Sequence, residues 1–228
     1  MQLSTPSLIL VIIGVLVVMT IVNRVLAERR TRAMTTFAAE RELTFEARDP
    51  SLVDRFHGSP FGRGYARRAT NVVHGTHDGR RVVAFDYHFR VRSSSGGSGG
   101  RGSSSHTYSV IAMHLDAVVP DLSISPTGVL GHLVNAVSKR DVQVGHPDLD
   151  REFTIVTSDP QFAAELLSPE AAALMLRNSH VAWRFERDSM LMIGRGTWST
   201  TEIDARLRLM DALLDATPAA LWRRLRPE

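Results

Sequence analysis

The sequence contains no cysteine and only one lysine, Lys139, against 26 arginines in 228 residues. Without cysteine there is no disulfide framework, no zinc ribbon or Cys-ligated cluster, and no thiol nucleophile. Aromatic residues make up 7% of the chain, and they do not interleave with the arginines as a groove for single-stranded nucleic acid requires. Nucleic acid is therefore not an expected partner. Also missing are Gly-x-Ser-x-Gly, His-Glu-x-x-His and Asp-rich calcium loops. Met1 to Ser7 has no basic side chain.

What remains is ordinary globular composition, 43% hydrophobic and 22% charged with a net charge of +3. The length suits one domain, or one domain plus an appendage.

The strongest signal is N-terminal. Leu8 to Val22 reads LILVIIGVLVVMTIV, with no charge before Arg24. Fifteen residues of helix cover about 22 Å, and Ser7 together with residues 23–27 supplies the turns needed for a core of about 30 Å, with Arg24 snorkelling outward. Val25-Leu26-Ala27 also resembles a signal-peptide cleavage site. A signal peptide, however, places its positive charge before the apolar run, whereas Arg24, Arg29, Arg30 and Arg32 all follow it. The expectation is an uncleaved anchor over 1–27, N-terminus outside, with the rest at the cytoplasmic face of the cell membrane. Residues 28–43 have helical spacing, with Met34, Phe37, Ala38 and Arg41 on one stripe, and read as a juxtamembrane stalk ended by Asp49-Pro50.

Residues 44–228 then form one cytoplasmic domain. Arg67–His74 and Arg80–Val91 flank His77-Asp78-Gly79, a hairpin signal. Val83, Phe85, Tyr87, Phe89 and Val91 fall on one face of the second strand. Val82, Ala84, Asp86, His88 and Arg90 fall on the other, predicted to be the solvent side. Ser93–Ser105 is a flexible loop by composition, followed by a strand over His106–Val119. Short strands are predicted at Asp141–Val144 and Glu152–Thr157. Ser168-Pro169-Glu170 opens a helix running to Arg177. A second hairpin, Val181–Glu186 and Met190–Gly194, is expected to turn through residues 187–189. Ser199-Thr200-Thr201-Glu202 is a capping box for a helix whose Ile203, Leu207, Met210 and Leu214 make an apolar stripe. Thr217-Pro218 starts a last helix with Leu221, Trp222 and Leu225. The fold class predicted is α+β: an N-terminal transmembrane helix, a mainly antiparallel sheet with two or more hairpins, and C-terminal amphipathic helices. The element order suggests a sandwich of the pleckstrin-homology kind.

The histidines and acids of the first hairpin form no expected metal or catalytic set. With Asp78-Gly79 as the turn, His74 faces Val83 and His88 faces Ala69, so His74, His77, Asp78, Asp86 and His88 do not converge. Asp86 and His88 share a face and are placed to hydrogen-bond, yet no nucleophile stands beside them. Gly194-Arg195-Gly196-Thr197 lacks the residues of a phosphate loop. No catalytic, cofactor-binding or metal-ligating residues are assigned.

Charge is uneven. Residues 54–105 carry nine arginines against Asp54, Asp78 and Asp86, a net +6, while residues 141–228 carry ten arginines against fourteen acids, a net −4. Arg63, Arg67, Arg68, Arg80, Arg81 and Arg90 are the candidate contacts for anionic lipid or a partner. A GC-rich coding composition explains the arginine surplus equally well.

Glu42-Leu43-Thr44-Phe45, Pro60-Phe61, Gly79 through Ala84-Phe85-Asp86-Tyr87, Glu152-Phe153-Thr154-Ile155-Val156 and Leu166-Leu167-Ser168-Pro169 resemble a bacterial family of small membrane-anchored proteins, a domain of unknown function. The resemblance implies the architecture and brings no activity, cofactor or catalytic residue. The function expected is non-enzymatic: an anchored protein-interaction module at the inner membrane face, with anionic-lipid sensing or an unrecognised membrane-associated hydrolase as alternatives.

Overall fold

The computed structural model describes residues 5–93, 102–127, 140–141 and 143–226. Residues 94–101 of the expected loop lie outside these, as do the side chains of Leu8–Leu10 and Ile12 of the apolar run.

Helix α1 is continuous from Thr5 to Glu40. It ends where Glu42 takes a positive φ of 56° and the Leu43 N–H donates to the Ala38 carbonyl at 2.8 Å, closing the last turn. This is earlier than the Asp49-Pro50 break expected from sequence. The second half of α1 is no free stalk, because Met34, Phe37 and Ala38 are buried in the domain core. From Val11 to Leu26 the described large apolar side chains are all exposed. Among the described residues no helix is long and apolar enough to cross a membrane.

The strands are β1 (Thr44–Arg48), β2 (Tyr65–His77), β3 (Arg80–Ser93), β4 (Gly102–Pro126), β5 (Arg140–Asp141), β6 (Phe153–Thr157) and β7 (Trp183–Arg195). They pair antiparallel in one open sheet ordered β1-β2-β3-β4-β6-β5, with β7 also on β4. The arrangement is a single sheet rather than the sandwich its element order suggested. Ser93 and Gly102–Ser105 belong to β3 and β4, extending the strands into the segment expected to be loop.

The β2–β3 hairpin turns at Asp78-Gly79, and His74 pairs with Val83 as expected. The register then slips, because an extra residue on β2 between Thr70 and Val73 bulges at Asn71, whose φ is 51°. His88 consequently faces Arg68, not Ala69.

The second expected hairpin does not form. β7 runs straight through residues 187–189 along the long β4, with Arg187 at a φ of 53° bending it where β4 bulges between His114 and Val119. The polar trio that reads as a turn is a bend matched to its neighbour's bulge.

Both faces of the sheet are covered. On one side lie the second half of α1 and the helices α2 (Pro147–Glu152), α3 (Pro160–Leu166), α4 (Pro169–Arg177), α5 (Thr200–Ala216) and α6 (Ala219–Leu225), packed on Val82, Ala84, Ile111, Met113 and Trp183. Ser168 and Ser199 cap α4 and α5 as their sequences predicted, Ser199 in a full capping box with Glu202. On the other side, Leu52, Phe56 and Phe61 cover Phe85, Tyr87, Phe89 and Val110. The face of β3 predicted to meet solvent is therefore an interior face as far as Asp86, which is 1% exposed.

Candidate functional site

Asp86 owes its burial to α1. Arg30, on the turn of α1 just before the core-facing stripe, reaches the sheet as a fork: Nε donates to Asp86 Oδ2 and Nη2 to Oδ1, both at 2.9 Å. Asn71 Nδ2 donates to Oδ2 at 2.9 Å, and the Ser109 hydroxyl donates to Oδ1 at 3.2 Å. Two carboxylate oxygens thus accept four donors, which fills their capacity. Arg30 Nη1 donates to the Trp198 carbonyl at 2.6 Å, the Trp198 N–H to Ser109 Oγ at 2.8 Å, and the Thr31 hydroxyl to Asn71 Oδ1 at 2.9 Å. A buried charge pair stabilises only when its remaining valences are met: the carboxylate's acceptor sites are filled, and each of the three Arg30 nitrogens donates a hydrogen bond. The chemistry of this cluster is attachment: it ties α1, β2, β3, β4 and the entry to α5 at one point.

His88 does not join it. Its Nε2 lies 3.0 Å from the Thr70 hydroxyl and its Nδ1 2.9 Å from the Thr107 hydroxyl. Burial, then the Arg68 charge, holds the His88 imidazole below its ordinary pKa. With Asp86 bound to Arg30 and His88 to two threonines, the two form no acid–base couple. His74 and His77 also part ways, the first to Glu46 at 3.1 Å and the second to Asp211 at 3.2 Å. Among the described residues no three His, Asp or Glu side chains gather as metal ligands.

Two further clusters were not anticipated. Opposite each other on β4 and β7, His114 and Ser189 both contact Asp188: Nδ1 at 3.3 Å and a donating hydroxyl at 2.9 Å. In a nucleophile-activating triad the imidazole stands between hydroxyl and carboxylate; here the carboxylate stands between the other two, and the hydroxyl donates to it and not to the imidazole. Nearby, Arg184 and Glu186 are nearly buried. Arg184 donates to the carbonyls of His57 and Ser59 at 2.8 and 2.6 Å, and Glu186 accepts the His57 N–H at 2.9 Å. Burial lowers the Arg184 pKa and raises that of Glu186. These groups pin the 56–60 segment to the sheet. No local pattern announces either cluster, since each joins segments more than 70 residues apart in sequence or across strands.

Among the described residues, open cavities that flank the strands include one of about 400 Å³ between Leu52, Val72, Val83 and Arg81, one of about 320 Å³ beside Glu186 and Val118, and one of about 250 Å³ among Arg80, Arg81, Leu214 and Trp222.

The six candidate arginines do not form one patch. Arg80 is committed to α5, donating to Asp211 at 2.9 Å and Asp215 at 2.5 Å, and Arg81 is exposed beside it at the hairpin turn. Arg67 is bound to Asp54 at 2.6 Å. Arg63, Arg68 and Arg90 are exposed at the opposite end of the hairpin. Ten residues of strand, about 33 Å, separate Arg80 from Arg90.

No protein-family model matches the chain, and no curated protein does. Among solved structures, the crystal structure of the mycobacterial trehalose monomycolate transport factor A, TtfA, is similar, with a TM-score of 0.58 and 16% sequence identity over 83% of this chain and 96% of that one. At that identity the likeness establishes a shared fold, an α+β domain on an open, mostly antiparallel sheet.

Proposed function

We propose that this protein is a single-pass, membrane-anchored module whose cytoplasmic domain binds another protein at the inner face of the membrane, without catalysis of its own. The observation that carries the reading is the division of labour along α1. One end, Met34 to Ala38, is interior to the domain, and at the other, from Val11 to Leu26, every described large apolar side chain is exposed. An apolar surface of that extent on a charged chain calls for a membrane or a partner, and the arginines that follow it favour the cytoplasmic side for the domain. The Arg30 cluster makes helix and sheet one body, a geometry suited to holding a binding domain at a fixed attitude. The structural neighbour is named as a transport factor, which is in keeping with a partner belonging to a transport apparatus.

The test is in-cell crosslinking of tagged full-length protein, with mass spectrometry of what co-purifies from detergent. A near-stoichiometric membrane protein supports the module. Recovery of this chain alone under several crosslinking conditions overturns it.

A further inference from the structure

The direction of α1 across the sheet decides which end of the domain meets the membrane. Arg30 and Thr31 sit over Asp86 and Asn71 in the middle of the hairpin. Farther along the chain, Leu43 packs on Gly75, and Thr44 pairs with His74, close to the hairpin turn. From residue 30 onward the chain thus approaches the turn. Followed the other way, from Arg30 back through Leu26 to Val11, α1 heads toward the end of the sheet where β2 begins, β3 ends and β4 begins. That end carries Arg63, Arg68, Arg90 and Arg92, all exposed. Arg90 and Arg92 continue the Asp86–His88 side of β3, the side on which α1 lies. Tyr65, 38% exposed, lies beneath the Arg92 guanidinium at 5.3 Å. Ser103, Ser104 and Ser105 complete the end opposite Arg92, Val91 and Arg90. Among these side chains there is no acid. Arg80 and Arg81, by contrast, lie at the far end.

Resting on the anchor reading above, we propose that this strand end is a second membrane contact: Arg68, Arg90 and Arg92, with Tyr65, seat on the anionic headgroups of the bilayer that α1 enters. Arg92 stands about 20 Å beyond Asp86 along β3. Followed in the same direction, α1 reaches its first exposed apolar side chain, Leu26, about 6 Å from Arg30, so the strand ends extend at least to the level where the apolar turns begin and do not hang clear of the bilayer surface. Exposed arginine competes for anionic headgroups, and tyrosine is the residue type that settles at headgroup level. The contact would fix the rotation of the domain about α1, which a single helix leaves free.

Because the chain has no cysteine, single labels can be placed cleanly. Full-length Ser103→Cys and Thr76→Cys, one at each end of the hairpin, are spin-labelled and reconstituted into phosphatidylcholine vesicles with or without phosphatidylglycerol, with a lipid-tethered nickel chelate as relaxing agent. The expected result is stronger relaxation at position 103 than at 76, a difference that grows with phosphatidylglycerol and shrinks with salt. Arg68→Gln/Arg90→Gln/Arg92→Gln in the Ser103→Cys chain abolishes the growth, and Arg81→Gln leaves it unchanged. Equal relaxation at the two positions, in a chain that floats with the vesicles, overturns the headgroup contact and leaves the anchor standing. A chain that does not float with vesicles overturns the anchor, and the contact with it.

Discussion

Arg30 and Asp86, 56 residues apart in sequence, meet as a two-pronged ion pair with both N–O distances at 2.9 Å, and through it the N-terminal helix is fastened to the centre of the sheet. Removing one member leaves the other charged and almost out of reach of water. Asp86→Ala or Arg30→Ala is expected to cost about 3–5 kcal/mol, and the double change Arg30→Met/Asp86→Leu to recover most of it. Urea denaturation of the detergent-solubilised chain reads the difference; equal losses in single and double variants would contradict the account.

Asn71 has two roles that substitution separates. It holds a φ of 51° at the β2 bulge and donates to Asp86. Asn71→Gly keeps the backbone at ease and loses the hydrogen bond to the carboxylate, about 1.5–3 kcal/mol, together with the one accepted from the Thr31 hydroxyl. Asn71→Ala adds the left-handed penalty of about 1–2 kcal/mol. The alanine variant is expected to melt lower than the glycine variant.

Gly194 lies under the Trp198 indole, and a Cβ there would overlap the ring. Trp198 carries the carbonyl that Arg30 binds and stacks below Arg206, 4.1 Å from guanidinium to ring centre. Gly194→Ala is expected to destabilise by about 1–3 kcal/mol, the usual range for overpacking. A change in tryptophan emission should accompany it as the indole is displaced.

The His88 imidazole is held below its ordinary pKa, chiefly by burial and next by Arg68. The folded state therefore binds this proton less readily than the unfolded chain does. Stability from this group is complete above the unfolded value of about 6.5 and is lost as pH falls through that value toward the folded one. Relative to His88→Gln, the native chain should lose stability on acidification across this window, measured as the pH dependence of the difference in unfolding free energy.

Met34 and Phe37 are interior residues supplied by the same helix that carries the apolar run. Each such side chain contributes about 1.5–3 kcal/mol by burial. A chain starting at residue 28 keeps them together with Arg30 and should fold. A chain starting at residue 44 loses all three and should be insoluble or molten. Circular dichroism and amide exchange distinguish the two.

Reading the amino-acid order by itself was enough for features set by near neighbours. The Asp78-Gly79 turn, the caps at Ser168 and Ser199, the stripe of α5 and the antiparallel α+β class all follow from residues within a turn or a strand of one another. Tertiary structure decided whatever depends on a segment arriving from far away. An aspartate alternating with apolar residues on β3 looks solvent-facing until an arginine from α1 covers it. Arg187-Asp188-Ser189 has the composition of a turn, yet β7 pairs with β4 on both sides of it, and a single positive φ bends the strand where a turn was expected. The arginines were visible as a surplus, but which of them share an end of the molecule is set by the direction in which α1 crosses the sheet. Local periodicity carries the covering preferences of each element; only packing says what does the covering.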